Sequence, residues 1–326
     1  MSKLFKKAKP VLKWIGWVLL VQLILINVSA AIYAYKITHY YRDKDMRPPA
    51  STRNIFVKTW RLFTGPRLQR NADADYPSFP FDTLSFHTAK GLRIDAWYSA
   101  AEMPKGTVIL FHGVTANKSY LLPEAGEFRY LGYNVLLVDF RGHGNSDGNN
   151  TTIGAFETEE VKLAYDFIKS KNEWNIFLYG VSMGASTVIK AVSQYGLKPG
   201  GVLLEMPFYS LETHMEARAR LFGFRGFPEK PFGFFVTGWI SIERGFNAYG
   251  FKTTTYARDV HCPVLMQYGE MDHVVLPWES ARIFAALSSP QKKLVAYAHA
   301  AHESLSQNDT PRWREEIQRF LQANTH

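Results

Sequence analysis

The chain has 326 residues, of which 46% are hydrophobic and 21% are charged, and its formal net charge at pH 7 is +9. This composition is typical of a folded protein and excludes a disordered chain. The single cysteine, Cys262, excludes both an internal disulfide framework and a metal site built from cysteines.

The positive charge is confined to the N-terminal part of the chain. Residues 1–70 hold eight Lys and six Arg against two Asp, whereas the other residues hold 24 basic and 27 acidic side chains. A protein that binds nucleic acid carries a strongly basic surface on its folded domain. Residues 71–326 have more acidic than basic side chains, so their composition does not indicate such a surface. We therefore expect no nucleic-acid partner.

The N-terminal segment predicts a membrane anchor. A basic tail over residues 1–13 contains five lysines, and an uncharged apolar run follows over residues 14–35. About 20 apolar residues suffice to cross the hydrocarbon core as a helix, and Trp14 and Trp17 lie where interface anchors are common. We predict a transmembrane helix over residues 14–35, with the lipid bilayer as its partner. Secretion after cleavage of a signal peptide at the Val-Ser-Ala sequence of residues 28–30 is the alternative.

The flanking charges also predict the orientation of this helix. A short tail with five lysines crosses a membrane poorly, so we expect the N-terminus in the cytosol and the body on the far side. Residues 36–80 are predicted to form a basic juxtamembrane linker. In it, Phe56, Trp60 and Phe63 recur at helical spacing, which is typical of a segment that lies on an anionic membrane surface. A solvated connector is the alternative.

From residue 81 onward, short apolar runs alternate with patterns of helical periodicity. The predicted strands are 82–88, 92–99, 107–111, 134–139, 175–179, 201–205, 264–268 and 293–297, and the predicted helices are 121–131, 156–170, 183–194, 278–287 and 311–321. This alternation predicts an α/β domain over residues 81–326 with a mostly parallel, doubly wound sheet. In such a sheet, ligands bind at the carboxyl ends of the strands.

One interval does not follow this alternation. Residues 206–263 separate two predicted strands, and a connection in an α/β unit is usually far shorter. The interval is rich in Phe, Gly and Arg and shows no strand pattern. We predict that a lid, at about residues 208–258, is inserted here over the ends of the strands.

A nucleophile is predicted at the end of the strand 175–179. The chain continues with Gly180, Val181, Ser182, Met183 and Gly184, and a helix begins at once. This is the strand–turn–helix context of a nucleophile elbow, in which the serine takes strained backbone angles and the two glycines avoid a collision. The turn presents the hydroxyl group at a helix N-terminus, where the helix dipole favours negative charge.

A serine hydroxyl becomes a nucleophile when a base accepts its proton and an acid orients that base. Asp272 follows the strand 264–268 and His302 follows the last strand, so both are expected at the same edge of the sheet as Ser182. We predict Ser182 as the nucleophile, His302 as the base and Asp272 as the acid. His299 is the alternative base, but it lies closer to the strand, where a side chain is more often buried. The alternative acids are Glu205 and Glu270.

Hydrolysis by a serine nucleophile passes through an oxyanion, which needs preorganised N–H donors. The predicted donors are the backbone N–H of Met183, directly after the nucleophile, and that of Val114, in the loop after the strand 107–111. Gly113 lets this loop turn towards the site, and we expect His112 to brace it by hydrogen bonds. We expect neither a metal nor an organic cofactor.

Four blocks of the sequence resemble the alpha/beta-hydrolase superfamily. They are Phe111-His112-Gly113, the run DFRGHGNSDG at 139–148, the elbow at 180–184, and the loops that carry the acid and the base. The second block is similar to the D-x-R-G-x-G-x-S-x-G of single-pass membrane-anchored esterases and lipases and of serine-aminopeptidase-like hydrolases. The likeness extends from Asp82 to the C-terminus. Two departures are a proline after the acid that comes one place late, at 277, and alanines at 300–301 where relatives often have a glycine.

The resemblance and the predicted residues together imply a serine hydrolase that cleaves a carboxylic ester through an acyl-enzyme intermediate. An aromatic lid close to a bilayer favours an apolar ester or an acyl chain over a highly charged substrate. A serine peptidase that acts on short peptides is the alternative enzyme, because the same triad serves amides. A non-catalytic binding protein on the same fold is the alternative outside catalysis.

Overall fold

The computed structural model describes residues 2–41, 55–71, 75–221, 226 and 228–325. The basic residues of the predicted linker between 42 and 54 lie outside the described residues.

An eight-stranded sheet, preceded by a short pair of strands, forms the centre of the body. The strands are β1 (Tyr40–Tyr41), β2 (Leu68–Gln69), β3 (Asp82–His87), β4 (Arg93–Ser99), β5 (Thr107–Phe111), β6 (Asn134–Val138), β7 (Ile176–Val181), β8 (Gly201–Glu205), β9 (Val264–Gly269) and β10 (Lys292–Tyr297).

The strand order of the large sheet is β10-β9-β8-β7-β5-β6-β4-β3. All pairs are parallel except those of β4, which runs antiparallel to both β3 and β6. Strands β5 and β6 are buried along their whole length. Their continuous apolar runs suit this position, because helices cover both faces of a parallel sheet. The predicted α/β fold with a mostly parallel sheet is confirmed.

Among the described residues, two helices precede the eight-stranded sheet in the chain, and the others alternate with its strands or follow them. They are α1 (Ser2–Ile37), α2 (Ile55–Thr64), α3 (Leu122–Tyr130), α4 (Thr158–Ser170), α5 (Met183–Tyr195), α6 (Leu211–Leu221), α7 (Glu229–Arg244), α8 (Thr253–Ala257), α9 (Pro277–Ala286), α10 (Leu305–Asn308) and α11 (Thr310–Asn324). The five helices predicted in the body correspond to α3, α4, α5, α9 and α11. The first of them begins later than predicted, because residues 118–121 form a separate 3-10 turn.

The interval between β8 and β9 consists of helices. Helices α6 and α7 pack against each other, whereas α8 packs against α5 and α9 of the body. The predicted lid therefore corresponds to α6 and α7, and the end of the interval belongs to the body. The periodicity of α7 was obscured by Pro231, Gly233 and Gly238, which have low helix propensity. Gly233 allows the close packing, since a Cβ atom there would lie 2.6 Å from a side-chain carbon of Glu216 on α6.

Helix α1 is continuous from Ser2 to Ile37 and includes the predicted basic tail, which is not a separate segment. Within the described residues, it is the one helix that is long and apolar enough to cross a membrane, over Val11–Ile37. Its side chains are exposed at residues 11–26, whereas Ala30, Tyr33, Ala34 and Ile37 are buried. The C-terminal turns of the helix therefore belong to the core of the body.

The buried end of α1 packs against α7. Tyr33 contacts Phe232 edge-on, with 4.9 Å between the ring centroids. The indole N–H of Trp239 donates to the side-chain oxygen of Asn27 at 3.2 Å. The N-terminal helix and the predicted lid are thus packed together.

Parts of the predicted linker also pack against the body. β1 and β2 pair in parallel. The N–H of Tyr40 donates to the carbonyl oxygen of Asn149 at 2.7 Å, and the guanidinium group of Arg70 donates to the carbonyl oxygens of Gly144 and Gly148 at 2.8 and 3.0 Å. These residues of the predicted linker therefore lie against the loop after β6.

Candidate active site

Ser182 occupies a tight turn between β7, which ends at Val181, and α5, which begins at Met183. Its φ of 53° and ψ of −112° are strained backbone angles, which cost about 1–3 kcal/mol and persist when the surrounding structure holds them. The N–H of Ser182 donates to the carbonyl oxygen of Glu205 at 2.7 Å. The end of β8 therefore helps to hold the turn.

Two glycines make this turn possible. A Cβ atom at Gly180 would lie 2.6 Å from the backbone nitrogen of Ala185, and one at Gly184 would overlap the carbonyl oxygen of Phe111. No side chain fits at either position without a backbone shift. The absence of side chains therefore lets the elbow, the start of α5 and the end of β5 approach each other closely.

The structure brings Ser182, His302 and Asp272 together. The Nε2 atom of His302 lies 3.0 Å from the Ser182 hydroxyl oxygen, and its Nδ1 atom lies 2.7 Å from a carboxylate oxygen of Asp272. An ionised carboxylate only accepts hydrogen bonds, so we assign the imidazole proton to Nδ1, which leaves the Nε2 lone pair for the serine proton. The other Asp272 oxygen accepts the N–H groups of Val274 and Val275 at 2.7 and 2.9 Å, and these bonds fix the carboxylate.

The alternative base and acids lie elsewhere. His299 is exposed, so the expectation that its closeness to the strand buries it is wrong. Glu270 is exposed as well. Glu205 is buried, and its carboxyl group accepts the indole N–H of Trp313, a core residue, at 2.6 Å.

Glu205 allows a test by pH. Burial, together with the negative charge of Glu124, raises the pKa of its carboxyl group from 4.5 to about 8. The folded protein therefore keeps a proton that the unfolded chain releases. The stability that this protonated carboxyl group contributes is lost progressively as pH rises from 4.5 towards 8. We expect Glu205→Gln, which cannot ionise, to gain stability relative to the native chain over this interval. Urea unfolding at several pH values measures the difference, and a difference that does not change with pH would contradict this account.

The loop after β5 lies beside the elbow. A Cβ atom at Gly113 would lie 3.5 Å from the Ser182 Cβ atom, and Val114 lines the same cavity as Ser182. In the part of the chain that the structure describes, neither the N–H of Val114 nor that of Met183 has a hydrogen-bond acceptor. Both groups are therefore free to donate to a ligand.

His112 holds this loop against the body. Its Nδ1 atom donates to the carbonyl oxygen of Gly113 at 2.7 Å, and its Nε2 atom accepts the N–H of Phe140 at 3.1 Å. Burial lowers the pKa of His112 to about 4, so its ring is neutral at pH 7 and retains this tautomer. This arrangement suits a brace rather than a base.

Residues of the N-terminal segment hold the same loop, and no sequence pattern predicts their contacts with it. The Tyr40 hydroxyl accepts the N–H of Thr115 at 3.1 Å and donates to Nε2 of His143 at 2.9 Å. The Asn71 side chain donates to the carbonyl oxygen of Thr115 at 3.0 Å. Thr115 has a φ of 64°, which a β-branched residue rarely adopts, so these contacts support an unfavourable conformation. No motif reveals them, because 75 residues separate Tyr40 from Thr115.

We expect Tyr40→Phe to lower kcat for an ester by about threefold to tenfold with little change in KM, because it removes a hydrogen bond worth about 1 kcal/mol from the loop and keeps the ring. Tyr41→Phe is the matched control, since the Tyr41 ring contacts His39, at 4.8 Å between centroids, rather than the loop. Steady-state kinetics measures both variants. Equal losses in the two would contradict a specific effect of Tyr40 on the loop.

The block at 139–148 folds around a buried lysine. Lys118 is fully buried, and its ammonium group contacts the carboxylates of Asp139 at 2.7 Å and Asp95 at 2.9 Å. Asp139 also accepts the backbone N–H of Lys118 at 2.7 Å. Since Lys118 directly follows the loop at 112–117, these contacts connect the loop to β4 and β6.

A cavity of about 290 Å³ opens at Ser182. Its walls come from the loop after β5, from α3, from the His302 loop and from α6. Helix α6 contributes His214, Arg218 and Leu221, which recur on one face of the helix. Helix α6, which lies within the interval predicted as a lid, thus forms one wall of the candidate site.

Comparisons with known proteins show which family and which structures the chain is similar to. The family described as "Serine aminopeptidase, S33" matches residues 102–229. An esterase of Pyrococcus furiosus has the same fold, with a TM-score of 0.68 and 23% identity over 79% of this chain and 97% of that one. The chain therefore has the alpha/beta-hydrolase fold. The family match supports a serine hydrolase of the alpha/beta type.

The curated relatives of this alpha/beta hydrolase are distant. YqkD, an uncharacterised protein of Bacillus subtilis, is 24% identical over 238 residues, which are 72% of this chain and 77% of the relative. The lysophosphatidylserine lipase ABHD12 of Danio rerio is 25% identical over 211 residues, which are 61% of this chain and 51% of the relative. The match thus spans about half the length of that lipase.

The two departures from the family pattern are accommodated in this alpha/beta hydrolase. Pro277 is the first residue of α9, a position where proline is common because its missing N–H has no helical partner. Ala300 is buried, and a Cβ atom at Gly269 would overlap its carbonyl oxygen. The loop that carries His302 therefore packs directly against the end of β9.

Proposed function

We propose that this hydrolase cleaves carboxylic esters through an acyl-enzyme intermediate on Ser182. The observation that carries the proposal is the series of hydrogen bonds from Asp272 through His302 to Ser182, with lengths of 2.7 and 3.0 Å. A general base within this distance accepts the serine proton as the serine oxygen attacks the carbonyl carbon.

In the first half of the reaction, the Ser182 oxygen bonds to the carbonyl carbon and its proton passes to Nε2 of His302. The tetrahedral intermediate then expels the alcohol, which leaves with that proton. In the second half, water gives a proton to His302 and attacks the acyl carbon, and release of the acid returns the proton to Ser182. Asp272 stays ionised and stabilises the imidazolium that forms in each half.

The oxyanion of each tetrahedral intermediate accepts the N–H groups of Met183 and Val114 in this proposal. Neither group has another acceptor among the described residues, and Met183 begins α5, where the helix dipole favours negative charge. Removal of one such donor typically costs about 2.7–4 kcal/mol in the transition state.

The preference for an ester rests on the similar proteins and on the lid. Similar proteins include a lipase and an esterase, and α7 brings Phe232, Phe235 and Trp239 close to the N-terminal helix. An apolar or acyl-chain ester suits such surroundings.

A short peptide is the second candidate substrate class, and Glu124 favours it. Glu124 lines the cavity, and among the described residues one of its carboxylate oxygens is buried without a hydrogen-bond donor. An ammonium group of a peptide would satisfy it. Rates on 4-nitrophenyl esters and on aminoacyl 4-nitroanilides, compared by kcat/KM, distinguish the two classes.

The membrane anchor is also a proposal. The exposed residues 14–26 of α1 carry no charge and include one polar side chain, Gln22. Together with the partly exposed turn after them, and at 1.5 Å per residue, they approach the thickness of the hydrocarbon core. Phe56 and Trp60 on α2 are 80% and 68% exposed. A cavity of about 680 Å³, lined mainly by apolar side chains, lies between α1, α2 and α7. These features support a domain whose α2 and α7 rest against the lipid.

The packing of α1 favours an uncleaved anchor over a signal peptide. Cleavage at residues 28–30 would remove Asn27, which accepts the indole N–H of Trp239, and would interrupt the helix next to its buried end. The lysines before the helix support an N-terminus in the cytosol and a hydrolase domain on the far side. Protease treatment of sealed vesicles tests this orientation, because a domain on the far side is digested only from that side.

A fluorophosphonate probe tests the proposed function. We expect the native chain to be labelled, Ser182→Ala to lose labelling, and His299→Ala to retain it, since His299 is exposed and outside the series of hydrogen bonds. Labelling that persists in Ser182→Ala would contradict the assignment of the nucleophile.

A further inference from the structure

Arg218 on α6 is a cation beside the proposed nucleophile. It lines the cavity of about 290 Å³ that also contains Ser182 and His302. Among the described residues, no carboxylate forms an ion pair with Arg218, and its Nε atom is buried without a hydrogen-bond acceptor. Its side-chain contact lies at 3.4 Å, between an Nη atom and Nε2 of His214.

His214 does not neutralise this charge. Burial, together with the positive charge of Arg218, lowers the pKa of His214 well below its usual range, so the ring is neutral at pH 7. The bond to Arg218 therefore uses the Nε2 lone pair of a neutral imidazole. The guanidinium group has five N–H donors, and this long bond engages one of them.

The two carboxylates that line the cavity do not pair with Arg218, although the Oε2 atom of Glu124 has no donor among the described residues. One oxygen of Glu124 accepts the hydroxyl groups of Ser304 and Ser306, at 2.5 and 2.7 Å. Glu303 accepts the side-chain N–H of Asn308 at 2.9 Å. Both acids thus contact the segment that follows His302 rather than Arg218.

The neighbouring arginine on the same helix is paired. Arg220 contacts the carboxylate of Glu229 at 3.0 Å and donates to the carbonyl oxygen of His273 at 2.7 Å. Arg220 thus has a counter-ion, Glu229, within the same helical interval. Arg218, which faces the cavity, is left without one among the described residues.

We propose that Arg218 binds an anionic group of the substrate, so that this hydrolase prefers esters that carry a carboxylate or a phosphate. A partly buried cation is costly without a counter-ion, and a ligand supplies one at this position. The planar guanidinium group binds both anions through two parallel hydrogen bonds. The inference rests on the proposed ester hydrolysis at Ser182. The sequence predicts an apolar ester without high charge, and the position of Arg218 adds one negatively charged group to that expected substrate.

Two pairs of substrates test this inference and distinguish the two anions. The carboxylate pair is 4-nitrophenyl pentanoate and mono(4-nitrophenyl) glutarate, and the phosphate pair is a 1-acylglycerol and the corresponding 1-acylglycerol 3-phosphate. We expect the native chain to prefer the charged member of at least one pair. Arg218→Gln should lower kcat/KM for that member about 10- to 100-fold and change the neutral member less than about twofold.

Two further variants make the result specific. Arg218→Lys keeps the charge and should restore part of the preference, whereas Arg220→Gln, the matched control on the same helix, should leave it unchanged. Equal losses on charged and neutral esters, or no preference in the native chain, would overturn the inference. Fluorophosphonate labelling separates the two proposals: labelling of Ser182 without charge preference refutes anion binding alone, and no labelling of the native chain refutes ester hydrolysis as well.

Discussion

Asp272→Asn is expected to lower kcat for an ester about 10⁴-fold while the fold remains intact. The Asp272 oxygen that accepts the N–H groups of Val274 and Val275 has an equivalent in the amide, so the loop keeps its anchor. The other position, 2.7 Å from Nδ1 of His302, then holds an NH₂ group that donates. Nδ1 of His302 must accept the hydrogen bond from this NH₂ group, so the imidazole carries its proton on Nε2, towards Ser182. In that tautomer the ring cannot accept the serine proton.

Glu270→Gln is the control for this variant, because Glu270 is an exposed carboxylate two residues away on the same loop. We expect it to change kcat less than about twofold, as exposed charges contribute little. Steady-state kinetics on a 4-nitrophenyl ester, with circular dichroism to verify the fold, measures both. A loss below about tenfold in a folded Asp272→Asn protein would contradict the role of Asp272 in orienting His302.

Lys118→Met is expected to reduce the free energy of unfolding by about 3–5 kcal/mol. Lys118 is fully buried between the carboxylates of Asp139 and Asp95, and its ammonium group lies 4.3 Å from the centroid of the Trp97 ring. Burial raises the pKa of Asp139, and the Lys118 ammonium group opposes that rise. Methionine fills the space but leaves the two carboxylates without their cation.

Urea unfolding of the purified variant measures this loss. Lys162→Met is the control, because Lys162 forms a half-exposed ion pair with Asp166 on α4 and such pairs contribute about 0–1 kcal/mol. Adding Asp139→Asn to Lys118→Met should recover part of the stability, since it removes one of the stranded charges. A cost below about 1 kcal/mol for Lys118→Met would show that the buried cation is not needed to hold the loop at 112–117 to the sheet.

The strands and the elbow were predictable because local patterns determine them. A buried parallel strand such as β5 needs a continuous apolar run, and a turn as tight as that at Ser182 needs glycine at 180 and 184 because backbone atoms occupy the space of any side chain. The chain order of nucleophile, acid and base then selected Asp272 and His302, which the structure places within hydrogen-bond distance of each other and of Ser182.

Long-range packing could not be predicted from the same patterns. In the sequence, Tyr40 is one of several tyrosines near the end of an apolar run. Its contact with Thr115 depends on how the N-terminal segment packs onto the rest of the protein. The exposure of His299 was wrongly predicted, because position relative to a strand does not fix burial in the turn beyond it. Arg218 and Arg220 look alike in sequence, and only the orientation of α6 gives one of them a carboxylate partner.

The central claim is that ester cleavage proceeds through a covalent intermediate on Ser182. Rapid acid quenching of the native chain during turnover of 4-nitrophenyl butyrate, followed by mass spectrometry of its peptides, tests that claim most directly. We expect a single butyryl group on the peptide that contains Ser182, and none in Ser182→Ala. A butyryl group on another residue would contradict it, as would continued hydrolysis of the ester by Ser182→Ala at the native rate.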